Sequence, residues 1–127
     1  MFVKNLNSEK PLRKFSKILT ASADGTAQVW DAKTGKELLK LTHSHGVKSA
    51  VFSSDSTKIL TASGDGTARV WDAKTGTESL RLKGDYGVIS AVFSSDNTKI
   101  LTANIGDTAE VWDAKTGAEL LDRKSVV

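Results

Sequence analysis

The amino-acid sequence predicts an all-β chain made of one four-stranded unit written three times. Three features point to it. The string KILTAS (KILTAN in the last copy), then DGTA or a near copy, then VWDAKTG recurs around Trp30, Trp71 and Trp112, which stand 41 residues apart. Within a copy the apolar residues alternate with period two, as Val47, Ser49 and Val51 do against Lys48, Ala50 and Phe52, and that is strand periodicity. Glycine and aspartate cluster between these runs, where tight turns need them. A fixed period of roughly 40 to 45 residues with four strands per copy marks the blades of a β-propeller, each of which needs a neighbour to bury its faces.

Taken in order, residues 1–16 form a divergent N-terminal arm, followed by three blades at about 17–41, 42–82 and 83–127. The middle copy shows the elements most clearly. An inner strand over 47–52 leads through a turn at 54–57 into a second strand over 59–63. Gly64-Asp65-Gly66 then turns the chain, glycine permitting the positive φ of a tight hairpin, into a third strand over 67–71. Asp72-Ala73-Lys74-Thr75-Gly76 is the next turn, with Asp72 accepting from the backbone and Gly76 in the left-handed position. The last strand, 78–82, turns Leu80 and Leu82 one way and Ser79 and Arg81 the other, as an outer, partly solvated strand does. Residues 6–12 bear no trace of the VKSAVF inner-strand pattern, so the arm offers at most a degenerate first inner strand, and Phe2–Leu6 is the segment that could serve as a spare strand to fasten a ring. Arg123 replaces Leu41 and Leu82, so the final outer strand is expected to meet solvent.

Composition is ordinary for a globular domain, with 39% hydrophobic and 26% charged residues in 127. No cysteine is present, which excludes disulfides and thiolate metal sites and suits a reducing cytoplasm. Neither a signal peptide nor a membrane span is expected. The net charge is +3, but Lys4, Lys10, Arg13, Lys14 and Lys17 against Glu9 already give +4 within the first 17 residues, leaving −1 for everything after. With only Phe2 and Phe15 among those cations, a solvated arm is expected and no specific nucleic-acid surface.

Val29-Trp30-Asp31, Val70-Trp71-Asp72 and Val111-Trp112-Asp113, with SAVFSSD beginning at Ser49 and Ser90, resemble the blades of the WD-repeat family over residues 17–123. The resemblance implies a radial β-propeller that holds other macromolecules. It also implies a buried hydrogen-bond network in each blade, built in the middle copy from His43, or alternatively His45, with Ser63, Asp65 and Trp71. The first copy keeps Ser22, Asp24 and Trp30 without an upstream histidine. The third has Trp112, but its turn reads Asn104-Ile105-Gly106-Asp107 and Asp85 and Tyr86 stand near the place of His43 and His45. The family resemblance makes these structural groups rather than a Ser-His-Asp catalytic set, and no phosphate loop or nucleophile motif occurs, so the chain is expected not to be an enzyme. His43 and His45 are two residues apart, but two nitrogens with no cysteine do not make a metal site, and no cofactor is expected. Asp31, Asp72 and Asp113 serve as turn formers.

Propellers close with roughly 4 to 8 blades, so a three-bladed arc is expected to complete its ring by oligomerisation. A head-to-tail homodimer gives six blades and a homotrimer nine. For partners other than itself, the resemblance points to a protein or peptide held on the narrow face, at positions where the copies differ most: Lys48, Tyr86, Ile89 and Ile105. The contrasting expectation is a ligand-free structural unit, such as a duplication intermediate or an engineered repeat piece, whose one activity is assembly.

Overall fold

The computed structural model describes residues 2–5 and 16–123. They form strands and turns alone, in three antiparallel sheets of four strands, each sheet in chain order. The first holds β1 (Phe2–Asn5), β2 (Lys17–Ala21), β3 (Thr26–Asp31) and β4 (Glu37–Thr42). The second holds β5 (Val47–Phe52), β6 (Lys58–Ser63), β7 (Thr67–Asp72) and β8 (Glu78–Lys83). The third holds β9 (Val88–Phe93), β10 (Lys99–Asn104), β11 (Thr108–Asp113) and β12 (Glu119–Arg123). The strand that opens the first sheet comes from the very start of the arm, with Phe2 opposite Ala21 and Asn5 opposite Ile18. The stretch 6–12 lies outside the described residues.

The turns follow from local chemistry. Asp72 Oδ1 accepts from the amides of Lys74 at 2.8 Å and Thr75 at 2.9 Å, and Gly76 sits at φ +78°. Asp31 with Gly35 and Asp113 with Gly117 repeat that geometry. The third sheet departs at its other hairpin: where Asp65 and Gly66 stand in the second sheet, Gly106 and Asp107 have φ of +94° and +62°. Two successive positive φ values are the pattern of a type I′ turn, and glycine followed by aspartate tolerates it.

The inner strands do not keep the strict alternation read from sequence. A register shift between Val47 and Ser49 turns Val47, Ala50 and Phe52 toward the first sheet and Val51 toward the third. The cause is a β-bulge, which places two residues against one and flips the face of everything after it.

The core lies between sheets. Leu19, Ala21, Ala27, Val29 and Leu41 of the first sheet pack on Val47, Ala50, Ile59, Trp71 and Ala73 of the second. One repeat later, Leu60, Ala62, Ala68, Val70 and Leu82 pack on Val88, Ala91, Ile100 and Trp112. Each sheet thus offers a leucine-alanine-valine face forward and an isoleucine-tryptophan face backward. Among the described residues the forward face of the third sheet packs on no further sheet: Leu19 and Leu60 are 0% exposed, but Leu101 is 47% and Leu121 51% exposed. The backward face of the first sheet is likewise open, its Ile18, Trp30 and Ala32 only partly buried. β12 pairs as far as Arg123 opposite Ala109 and faces solvent at Leu120 and Leu121.

Candidate functional site

The polar centre of the second sheet is a chain of hydrogen bonds. Trp71 Nε1 donates to Thr61 Oγ1 at 2.9 Å, and Thr61 Oγ1 lies 2.7 Å from His43 Nε2. His43 Nδ1 lies 2.9 Å from Asp65 Oδ2. One neutral tautomer satisfies every contact: Nδ1–H donates to Asp65 and Nε2 accepts from the threonine hydroxyl. Thr67 donates its hydroxyl to Asp65 Oδ1 at 2.6 Å, and Arg69 Nη2 donates to Asp65 Oδ2 at 3.0 Å. Burial opposes the charged form of both partners. For His43 it wins and lowers the imidazole pKa against the pull of Asp65. For Asp65 it is outweighed by the bonds from Thr67 and His43, which hold the carboxyl well below the usual range.

Thr61 takes the hydroxyl place expected of Ser63. Ser63 Oγ instead donates to the carbonyls of His45 and Gly46 at 3.0 and 3.1 Å and accepts from the Asp65 amide at 3.1 Å. Register explains it: Trp71 stands opposite Ile59, so its indole reaches the next same-face residue, Thr61, and not Ser63 two further on. The same bond recurs from Trp30 to Thr20 and from Trp112 to Thr102, both at 3.0 Å. In the first sheet Ser22 accepts from the Asp24 amide, and Asp24 accepts from Thr26, whose bonds lower its pKa. His45 is exposed, within 3.3 Å of Ser44 Oγ. The hydroxyl of Thr61 is fully buried and is held between indole and imidazole.

The four positions expected to meet a partner are all exposed. They form one rim. A methyl placed on Gly64 would lie 3.7 Å from Lys48 Cε, one on Gly87 2.9 Å from Ile105 Cδ1 and 3.4 Å from the Gly64 carbonyl, and one on Gly106 4.0 Å from Tyr86 Cδ2. Lys48 of the second blade is therefore linked to Ile105 of the third through Gly64 and Gly87, the glycine pair at which the two blades meet, while Tyr86 lies beside Gly106 within the third. Tyr86, Ile105 and Ile89, the last standing one repeat after Lys48, are 61%, 54% and 49% exposed. A second opening, about 580 Å³, lies at the outer edge between the second and third sheets, lined by Asp55, Lys58, Leu80, Phe93 and Asp113 among others. Hydrogen bonds from Ser53 and Thr57 hold Asp55 down at about 2, so its acid is spent on the turn.

Residues 8–31 and 35–72 match the family described as WD domain, G-beta repeat. The chain is similar to the serine-threonine kinase receptor-associated protein of Gallus gallus, with 56% identity over 41 residues, 32% of this chain and 12% of that protein. Its Homo sapiens counterpart is 54% identical over 41 residues, with the same shares of each chain. That of Dictyostelium discoideum is 45% identical over 42 residues, 33% of this chain and 14% of that protein. Each match thus spans about one repeat and a small part of the relative's length.

Proposed function

With the chain placed in the WD-repeat family, we propose that it is a non-enzymatic interaction scaffold that captures a protein or peptide segment on the rim of its second and third blades. The observation that carries this is the continuity of Tyr86, Ile105 and Lys48 across Gly64, Gly87 and Gly106. An exposed aromatic and aliphatic pair beside a cation fits a segment with an apolar anchor next to an acidic residue. The printed names of the relatives describe association with a kinase receptor, in keeping with a binding role of this general kind.

Self-assembly belongs to the same proposal. The forward face of Leu101, Val111 and Leu121 repeats faces that are packed twice inside the chain, with Arg123 in the place of Leu41 and Leu82, and the backward face of Ile18, Trp30 and Ala32 repeats Ile59, Trp71 and Ala73. A second copy thus brings the complementary surface, head to tail, and two copies give six blades where three give nine. The ligand-free structural unit is the second reading, favoured by that same match of faces. The proposed compartment is the cytoplasm, in keeping with the lack of cysteine.

Panning a phage-displayed peptide library on the immobilised chain separates the two readings. Enrichment of segments pairing an aromatic or aliphatic residue with Asp or Glu is expected, with capture lost in Tyr86→Ala/Ile105→Asp while the mass by light scattering stays that of the parent. No enrichment, or equal capture by the variant, overturns the rim and leaves assembly alone.

A further inference from the structure

Three glycines at equivalent turns, all with φ between +76° and +78°, report what lies against each blade. A methyl on Gly76 would lie 3.1 Å from Leu39 Cδ2 and 3.6 Å from Leu41 Cδ2, and one on Gly117 3.3 Å from Leu80 Cδ2 and 3.5 Å from Leu82 Cδ2. The turn of each later blade is thus a socket for two leucines from the outer strand of the blade before it. A methyl on Gly35 meets nothing within 4 Å among the described residues.

The outer strand of the third blade carries one of the two leucines. Leu121 stands opposite Val111 as Leu39 does opposite Val29 and Leu80 opposite Val70, yet it is 51% exposed. At the second place the series breaks. Leu41 opposite Ala27 and Leu82 opposite Ala68 are each 1% exposed, whereas the residue opposite Ala109 is Arg123.

We propose that Leu121 of one copy enters the Gly35 socket of a second copy, and that Arg123 makes this the weak joint of the ring, so that closure is reversible. The inference rests on the head-to-tail reading above and adds the residue that sets its strength. Turn, glycine and first leucine are kept at this joint, so the partner that fits is the chain itself. The second leucine supplies apolar burial at each internal joint, whereas an arginine in its place must hold its head in water or lose hydration without a counter-charge. The same face therefore grips less tightly between copies than within one. At dilutions that keep the chains apart, Gly35 retains its free space.

The test is Arg123→Leu, which restores the residue of the other two blades. Light scattering over a dilution series should show association at a concentration at least tenfold lower than in the parent, since fully burying one leucine is worth that much. Adding Leu121→Asp reverses the gain, and Lys83→Leu, at an exposed cation on β8, leaves the parent's association unchanged. Because the chain has no cysteine, Lys36→Cys/Leu121→Cys treated with a short bismaleimide reads the contact itself, and cross-links between chains are expected. An assembly of equal strength in Arg123→Leu and the parent, or one whose cysteine pair fails to cross-link, overturns this joint while head-to-tail assembly stands. One-chain masses for both the parent and Arg123→Leu at every concentration overturn the assembly reading as well.

Discussion

Leu60 and Leu101 are the same residue one repeat apart, yet Leu60 is fully buried and Leu101 is 47% exposed. Leu60→Ala removes buried methyl groups from the packing against Ile100 and Trp112, a loss of about 2–5 kcal/mol in well-packed cores. That cost is independent of concentration if the intrachain interface alone holds it. Leu101→Ala in an isolated chain costs about 1 kcal/mol or less, since half of the side chain is already in water. If a second copy lays its Trp30 face on Leu101, the cost of Leu101→Ala climbs toward that of Leu60→Ala as the protein is concentrated. Urea unfolding of both variants and the parent, at chain concentrations stepped across the micromolar range and matched to masses from light scattering, reads this directly. A Leu101→Ala cost that stays flat and small at every concentration would refute head-to-tail assembly.

His43 gives a pH dependence. Its pKa is lowered in the fold by burial, so as pH falls below the ordinary 6.5 the unfolded chain takes up the proton first and stability drops; it changes no further once the folded imidazole is also protonated. Urea midpoints at pH 7.5 and 5.5 should differ in the parent and converge in His43→Asn; an unchanged difference in that variant would assign the effect elsewhere. Asp65 and Asp96, both with depressed pKa, add a separate loss of stability below about pH 4, the range in which ordinary carboxyls begin to protonate. The left-handed glycines offer a matched pair: Gly35→Ala at φ +76° meets nothing and costs about 1–2 kcal/mol for the backbone alone. Gly76→Ala at φ +78° also crowds Leu39 Cδ2 at 3.1 Å, so it should cost more, and equal thermal shifts would deny any role to that contact.

What the sequence makes legible is whatever is decided within a few residues. Asp72 accepting from Lys74 and Thr75, and Gly76 at positive φ, are properties of one turn, and three copies of the string announce them. The fold class follows, because four strands and four turns per 41 residues leave few alternatives. Thr61 was hidden because the hydroxyl that meets Trp71 depends on cross-strand register, not on a motif. The bulge at the start of β5 was hidden for the same reason, and with it the faces of Ala50 and Val51. Phe2–Asn5 joins the first sheet by backbone pairing, which a four-residue segment does not advertise. The clustering of Glu110, Glu119 and Asp122 was readable in principle: aligning positions 28, 69 and 110, then 37, 78 and 119, then 40, 81 and 122, shows the charge reversal at once.

The departures of the third blade also belong together. In the second blade Asp65 is the common acceptor of His43, Thr67 and Arg69. Remove that acid, as Gly106 does, and a buried imidazole at position 84 would lose the acceptor of its N–H, and an arginine at position 110 the nearer of its two carboxylates. The chain has glycine and glutamate there, and Asn104, longer than Ser63, reaches across to donate to Glu110. Each change removes the partner that would make its neighbour intolerable, so Gly84, Asn104, Gly106 and Glu110 are one rewired network and not four independent substitutions. The single buried side-chain group this rewiring fails to satisfy among the described residues is the Asn104 oxygen, which faces Gly84.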